Sequence, residues 1–133
     1  MVGDSLPTLE KVPTTIQLFR YSAVTWNTHR IHYDKDYAMK EGYPNVLVQS
    51  HLHGAFLTQL CTDWMGPYGT LRKFSIRVKK YATIGDKLTC HGLIERKWYE
   101  NNQLHFSIRL EEKNQNNEIC AEGNAIIIFQ END

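Results

Sequence analysis

The sequence predicts an α+β protein: a curved antiparallel sheet wrapped around one long, apolar helix. Two patterns carry this. Between Ser50 and Gly66, the residues Leu52, Phe56, Leu60 and Trp64 recur every four positions, and Ala55, Leu57 and Cys61 widen the apolar stripe to most of the circumference. After Gly69 the period switches to two. Phe74, Ile76 and Val78 alternate with Lys73, Ser75, Arg77 and Lys79, and Leu104, Phe106, Ile108 and Leu110 alternate with His105, Ser107 and Arg109. A sheet with one apolar face and a helix apolar nearly all round satisfy each other when the first covers the second. At 133 residues the chain fits a single domain.

Residues 1–13 carry Gly3, Pro7 and Pro13 and read as an arm, with the domain proper spanning 14–133. A brief strand is expected over Thr14–Leu18 and two helical turns over Phe19–Trp26. A short helix over Asp34–Lys40 is stopped by Gly42 and Pro44. Ser50 is the expected cap of the long helix, and Gly66-Pro67 its end. Gly85-Asp86 and Asn101-Asn102 mark turns between strands, and Trp98 and Tyr99 beside the second turn read as packing residues. The run Ile126-Ile127-Ile128 suggests a last strand covered on both faces.

Composition excludes several functions. Fifteen Lys plus Arg balance fifteen Asp plus Glu, so no global field draws nucleic acid or an anionic membrane. Cys61, Cys90 and Cys120 lack zinc-finger or disulfide-scaffold spacing and read as buried free thiols in a reducing compartment. His51 and His53 have no third ligand at close spacing, so no metal is assigned. The first residues have neither the long apolar run of a signal peptide nor that of a span, and a cytoplasmic location is the default expectation.

Residues 26 to 34 concentrate the chemistry: Trp-Asn-Thr-His-Arg-Ile-His-Tyr-Asp puts two histidines, an arginine, an asparagine and an aspartate beside apolar neighbours. His32 is the centre of interest because imidazole exchanges protons near neutral pH.

The stretch from Leu18 to Asp34, LFRYSAVTWNTHRIHYD, resembles the hydratase motif of MaoC-like enzymes, and Glu41 to Leu52, EGYPNVLVQSHL, resembles the approach to their central helix. The likeness is to the branch of mesaconyl-CoA and itaconyl-CoA hydratases and 3-hydroxyacyl-thioester dehydratases. It implies a hotdog fold and addition or removal of water at the C2–C3 bond of an acyl-CoA thioester. Coenzyme A would enter as part of the substrate, with no other cofactor. The wider motif reads Gly-Asp-x-Asn-Pro-x-His. Aligning its last histidine with His32 puts the aspartate at Asn27, the glycine at Trp26, the asparagine at His29 and the proline at Arg30. His32 then carries proton transfer, since the Asn27 amide orients water but accepts no proton. Asp34 is an acid–base substitute outside the family register. The family's thioester-carbonyl contact falls at Gln49 and Ser50, where helix-start amides stabilise negative charge. The resemblance also implies a partner, as homodimer or as heterodimer with another hotdog subunit; the charge balance, for its part, sets the expectation of no contact with nucleic acid or membrane.

Each assignment has a plainer alternative. Asn27 closes a turn, or acts in catalysis; His29 supports His32, or touches substrate. Arg30 pairs with Asp34 or Glu41, or binds a substrate carboxylate. Arg77 belongs to a solvated sheet face with Lys73, Lys79 and Lys80, or contacts a coenzyme A phosphate. Two other functions stay open: a non-catalytic partner subunit, favoured by Asn27 and Ser50, and a thioesterase, for which Asp63 lies late on the helix.

Overall fold

The computed structural model describes residues 1–130. In chain order it contains β1 (Leu9–Lys11), α1 (Thr15–Thr25), a 3₁₀ turn (Arg30–His32), α2 (Lys35–Lys40), α3 (Ser50–Met65), a second 3₁₀ turn (Gly66–Tyr68), β2 (Gly69–Val78), β3 (Leu88–Glu100), β4 (Gln103–Lys113) and β5 (Ile119–Gln130). The strands form one five-stranded sheet in the order β1-β3-β4-β5-β2 with every neighbouring pair antiparallel. The sheet packs on α3 as expected. Leu57, Leu60 and Cys61 of the helix are buried in one core with Ile108, Leu110 and Ile127 of the strands. Trp64 closes its far end, edge-on to Phe106 at 5.3 Å and Phe129 at 5.7 Å.

The first segment departs from expectation. Thr14–Leu18 forms no strand: Thr14 caps α1, its side chain accepting the Gln17 amide, and Leu18 and Ser22, one turn apart, are the buried residues of that helix. The strand lies earlier. Leu9 pairs with Cys90 and Lys11 with Leu88, while the amides of Gly3 and Leu6 donate to Ile94 and Gly92. Residues 1–13 are therefore laid along β3 as part of the sheet rather than as an arm. Pairing partners some eighty residues away settle this, and local pattern does not report them.

At α3 the capping position is Gln49, which makes no side-chain capping bond, and Ser50 is the first helical residue. The helix is also less enclosed than its composition suggests. Ser50, His51, Ala55, Thr62 and Asp63 are exposed, and a shallow groove runs between His51, Ala55 and Thr58 of α3 and Phe74 and Ile76 of β2. Asn101 and Asn102 both adopt left-handed φ, 52° and 60°, as a tight two-residue hairpin requires. In β5, Ile127 faces the core beside Phe106, while Ile128 lies opposite His105 on the other face. There Trp98 stacks on His105 at 5.1 Å, so the covering of both faces holds at this point, whereas Tyr99 is exposed.

Candidate active site

The histidine segment is fixed to the strand-like approach to α3 from two directions. The amide of Leu47 donates to the carbonyl of Ile31 at 3.0 Å, and Nδ1 of His32 bonds the carbonyl of Leu47 at 2.8 Å. A carbonyl only accepts, so Nδ1 carries the proton and Nε2 presents its lone pair. The ring is half-buried. Desolvation lowers its pKa below the ordinary histidine value of 6.5; the Leu47 bond opposes this shift and nearby His29 adds to it. The imidazole is thus held neutral near pH 7, in the tautomer that accepts a proton at Nε2.

Around it, short-range bonds shape the turn. His29 caps the 3₁₀ turn, Nδ1 accepting the Ile31 amide at 3.2 Å, with its ring 6.0 Å from that of His32. Asn27 Oδ1 accepts the His29 amide at a long 3.4 Å, and its second lone pair stays available. Arg30 is committed to Asp34, Nη2 to Oδ2 at 2.7 Å, and lies 4.8 Å over the ring of Tyr37. Asp34 also accepts the Tyr37 amide as the cap of α2. The bonds from Arg30 and that amide hold its carboxyl below the usual range, which makes it a weaker base than an ordinary carboxylate.

Ser50 stands exposed at the first position of α3, three residues after the carbonyl that holds His32. Because the first amides of a helix have no intrahelical acceptor and Gln49 supplies no cap, the Ser50 and His51 N–H groups are available donors three and four residues after the carbonyl that holds His32. The Gln49 side chain turns into the core. It is fully buried, and Nε2 donates to the carbonyl of Leu18 at 2.7 Å and the hydroxyl of Ser22 at 2.8 Å. It ties α1 to α3, a structural role in place of the expected binding role. Arg77 is also displaced from the site. Ile76 reaches Gly54 of α3, so its strand neighbour Arg77 points to the opposite face of the sheet, where it lines a groove with Glu95, Arg109 and Glu122.

The structure adds a pair that sequence reading missed. His53 and Glu112, both fully buried, bond to each other between α3 and β4. Glu112 continues the inward alternation of Phe106, Ile108 and Leu110, and that periodicity was the available signal.

Residues 5–86 match the family model of hydroxyacyl-thioester dehydratase type 2, and the chain belongs to this family. A stretch of 50 residues is 50% identical to mesaconyl-C(4)-CoA hydratase of Chloroflexus aurantiacus, covering 37% of this chain and 18% of that protein. The chain thus matches under a fifth of that relative's length. Among solved structures, unliganded R-hydratase PhaJ1 from Pseudomonas aeruginosa superposes with a TM-score of 0.85 at 21% identity, over 99% of this chain and 83% of that one. A chain of the ChsH1-ChsH2 complex from Mycobacterium tuberculosis does so with a TM-score of 0.85 at 17% identity, over 98% of both. At such identities the superpositions speak for the fold, which is the hotdog fold of MaoC-like proteins.

Proposed function

We propose that this chain is a hydratase/dehydratase acting at the C2–C3 bond of an enoyl- or 3-hydroxyacyl-CoA thioester. The observation that carries the reading is the state of His32: neutral, with Nδ1–H engaged by Leu47 and Nε2 unbonded among the described residues, close to the start of α3. In the hydration direction, water held by Asn27 Oδ1 attacks C3 as His32 Nε2 takes its proton. Electrons move onto the thioester oxygen, which the Ser50 N–H steadies, and the imidazolium returns the proton to C2. Dehydration reverses these steps. The chemistry is acid–base throughout, and coenzyme A enters with the substrate.

A dicarboxylic acyl group such as mesaconyl is the finer proposal, supported by the local identity to mesaconyl-C(4)-CoA hydratase. Arg30, the residue placed to meet a second carboxylate, would have to leave Asp34 to do so. A second hotdog chain is proposed to cover the site, because His32 is only half-buried in the single chain and lines neither the groove between α3 and β2 nor the one between α1 and Leu52.

Incubating the chain, in excess over substrate, with crotonyl-CoA and mesaconyl-CoA tests the reading while enoyl absorbance and free thiol are followed together. Loss of absorbance without thiol is the expected result. Thiol release would mean a thioesterase, and no change a non-catalytic partner subunit.

A further inference from the structure

Taking the pairing proposed above as the starting point, we propose that the free edge of β2 docks a strand of a different chain, one that presents carboxylates, rather than β2 of a second copy. The sheet order leaves β1 and β2 as its edges. β1 has 3 residues, whereas β2 has 10, pairs with β5 along one side and, among the described residues, leaves the backbone groups of its other side free. The groove lined by His51, Ala55, Thr58, Phe74 and Ile76 continues inward from that edge. Backbone donors and acceptors therefore adjoin apolar side chains on one surface, the composition of a strand-docking site.

Charge chooses the occupant. From Gly69 to Lys80 the sequence GTLRKFSIRVKK has five basic residues and no acidic one. Lys79 meets Glu122 at 3.4 Å and Lys80 meets Glu118 within the chain. Arg72, Lys73 and Arg77 are exposed. The closest acid in register with Arg77 is Glu122 on its own chain, already beside Lys79. A two-fold axis relating two copies would set β2 antiparallel to β2. In any register, each of these cations would face, directly or diagonally, only neutral or basic side chains from the other copy, and like charges across a strand pair repel. A strand bearing Asp or Glu on the corresponding face meets the same edge with attraction.

An acidic version of this chain's own edge serves as the probe. Sedimentation velocity at micromolar concentration and low salt should show the unaltered chain at its monomer mass of 15.5 kDa. The variant Arg72→Glu, Lys73→Glu, Arg77→Glu should also sediment alone as monomer, and an equimolar mixture of the two should double in mass, then separate as salt screens the charges. Circular dichroism checks that the variant folds; if it does not, the pair Lys73→Glu, Arg77→Glu takes its place and should still bind the unaltered chain more tightly than either binds itself. A stable dimer of the unaltered chain at low salt, or a mixture that stays monomeric, overturns the proposal. Association alone is read, so a failed hydration assay and a failed docking assay are told apart.

Discussion

Leu47 bonds His32 through its carbonyl and the neighbouring Ile31 through its amide, at 2.8 and 3.0 Å. The segment leading into α3 thereby fixes both the position of the ring and its tautomer. Burial lowers the His32 pKa, so the base form persists further into acid than for an exposed histidine. Hydration is expected to fall as pH drops through a midpoint below 6.5, the ordinary histidine value, and to be flat from there up to pH about 8. His32→Ala should lower kcat by about 10²- to 10⁴-fold. A pH profile of kcat/KM without an acid limb, or an unchanged rate in the variant, would remove His32 from the chemistry.

Much of this architecture was legible in the chain. The four-residue spacing of Leu52, Phe56, Leu60 and Trp64 and the two-residue spacing through β2 and β4 are local signals of burial, and the structure confirms helix and strands where they occur. Features set by distant partners were not legible. Leu9–Lys11 becomes a strand only because β3 lies beside it, and Gln49 looks like a polar residue at a helix start until Leu18 and Ser22 close over it. The Leu18–Asp34 motif marked the His32 loop, but the bond that sets the tautomer of its ring comes from a residue 15 positions on.

Gln49 gives a stability prediction. Its amide joins Leu18 and Ser22 inside the core. Gln49→Leu strips both of that donor and should cost about 1–3 kcal/mol. Urea denaturation reads it directly, and a variant as stable as the parent would show that α1 is held by apolar packing alone.

The His53–Glu112 pair is a stronger case because both groups are shut away from water. Removing one partner leaves the other without its bond, whereas removing both leaves only apolar volume. Glu112→Leu and His53→Leu should each cost roughly 3–5 kcal/mol, and the double variant far less than their sum. Additive losses in a double-mutant cycle would mean the two do not depend on each other.

The thiols should be inert. Desolvation pushes Cys90 up to about 12, and Cys61 and Cys120 up to about 11, with the charge of Glu112 adding to the first and last. A thiol-exchange reagent at pH about 8 should label none of them in the folded chain, because the reactive thiolate is scarce and covered. All three free cysteines should react after denaturation. Rapid labelling of the native chain would show that the core opens.

Trp26 ends α1 in a left-handed conformation, φ 57° and ψ 29°, its amide donating back to Ser22. The motif that this segment resembles has glycine at that position, the residue for which such a φ carries no steric cost. Trp26 is also 85% exposed, so little packing is lost by deleting its ring. Trp26→Gly should therefore stabilise the chain by about 1 kcal/mol, the left-handed penalty less the added freedom of glycine when unfolded. Chemical denaturation of the monomer checks this. A loss of stability would mean that the indole is covered in solution, which would make Trp26 part of a contact surface at the mouth of the His32 loop.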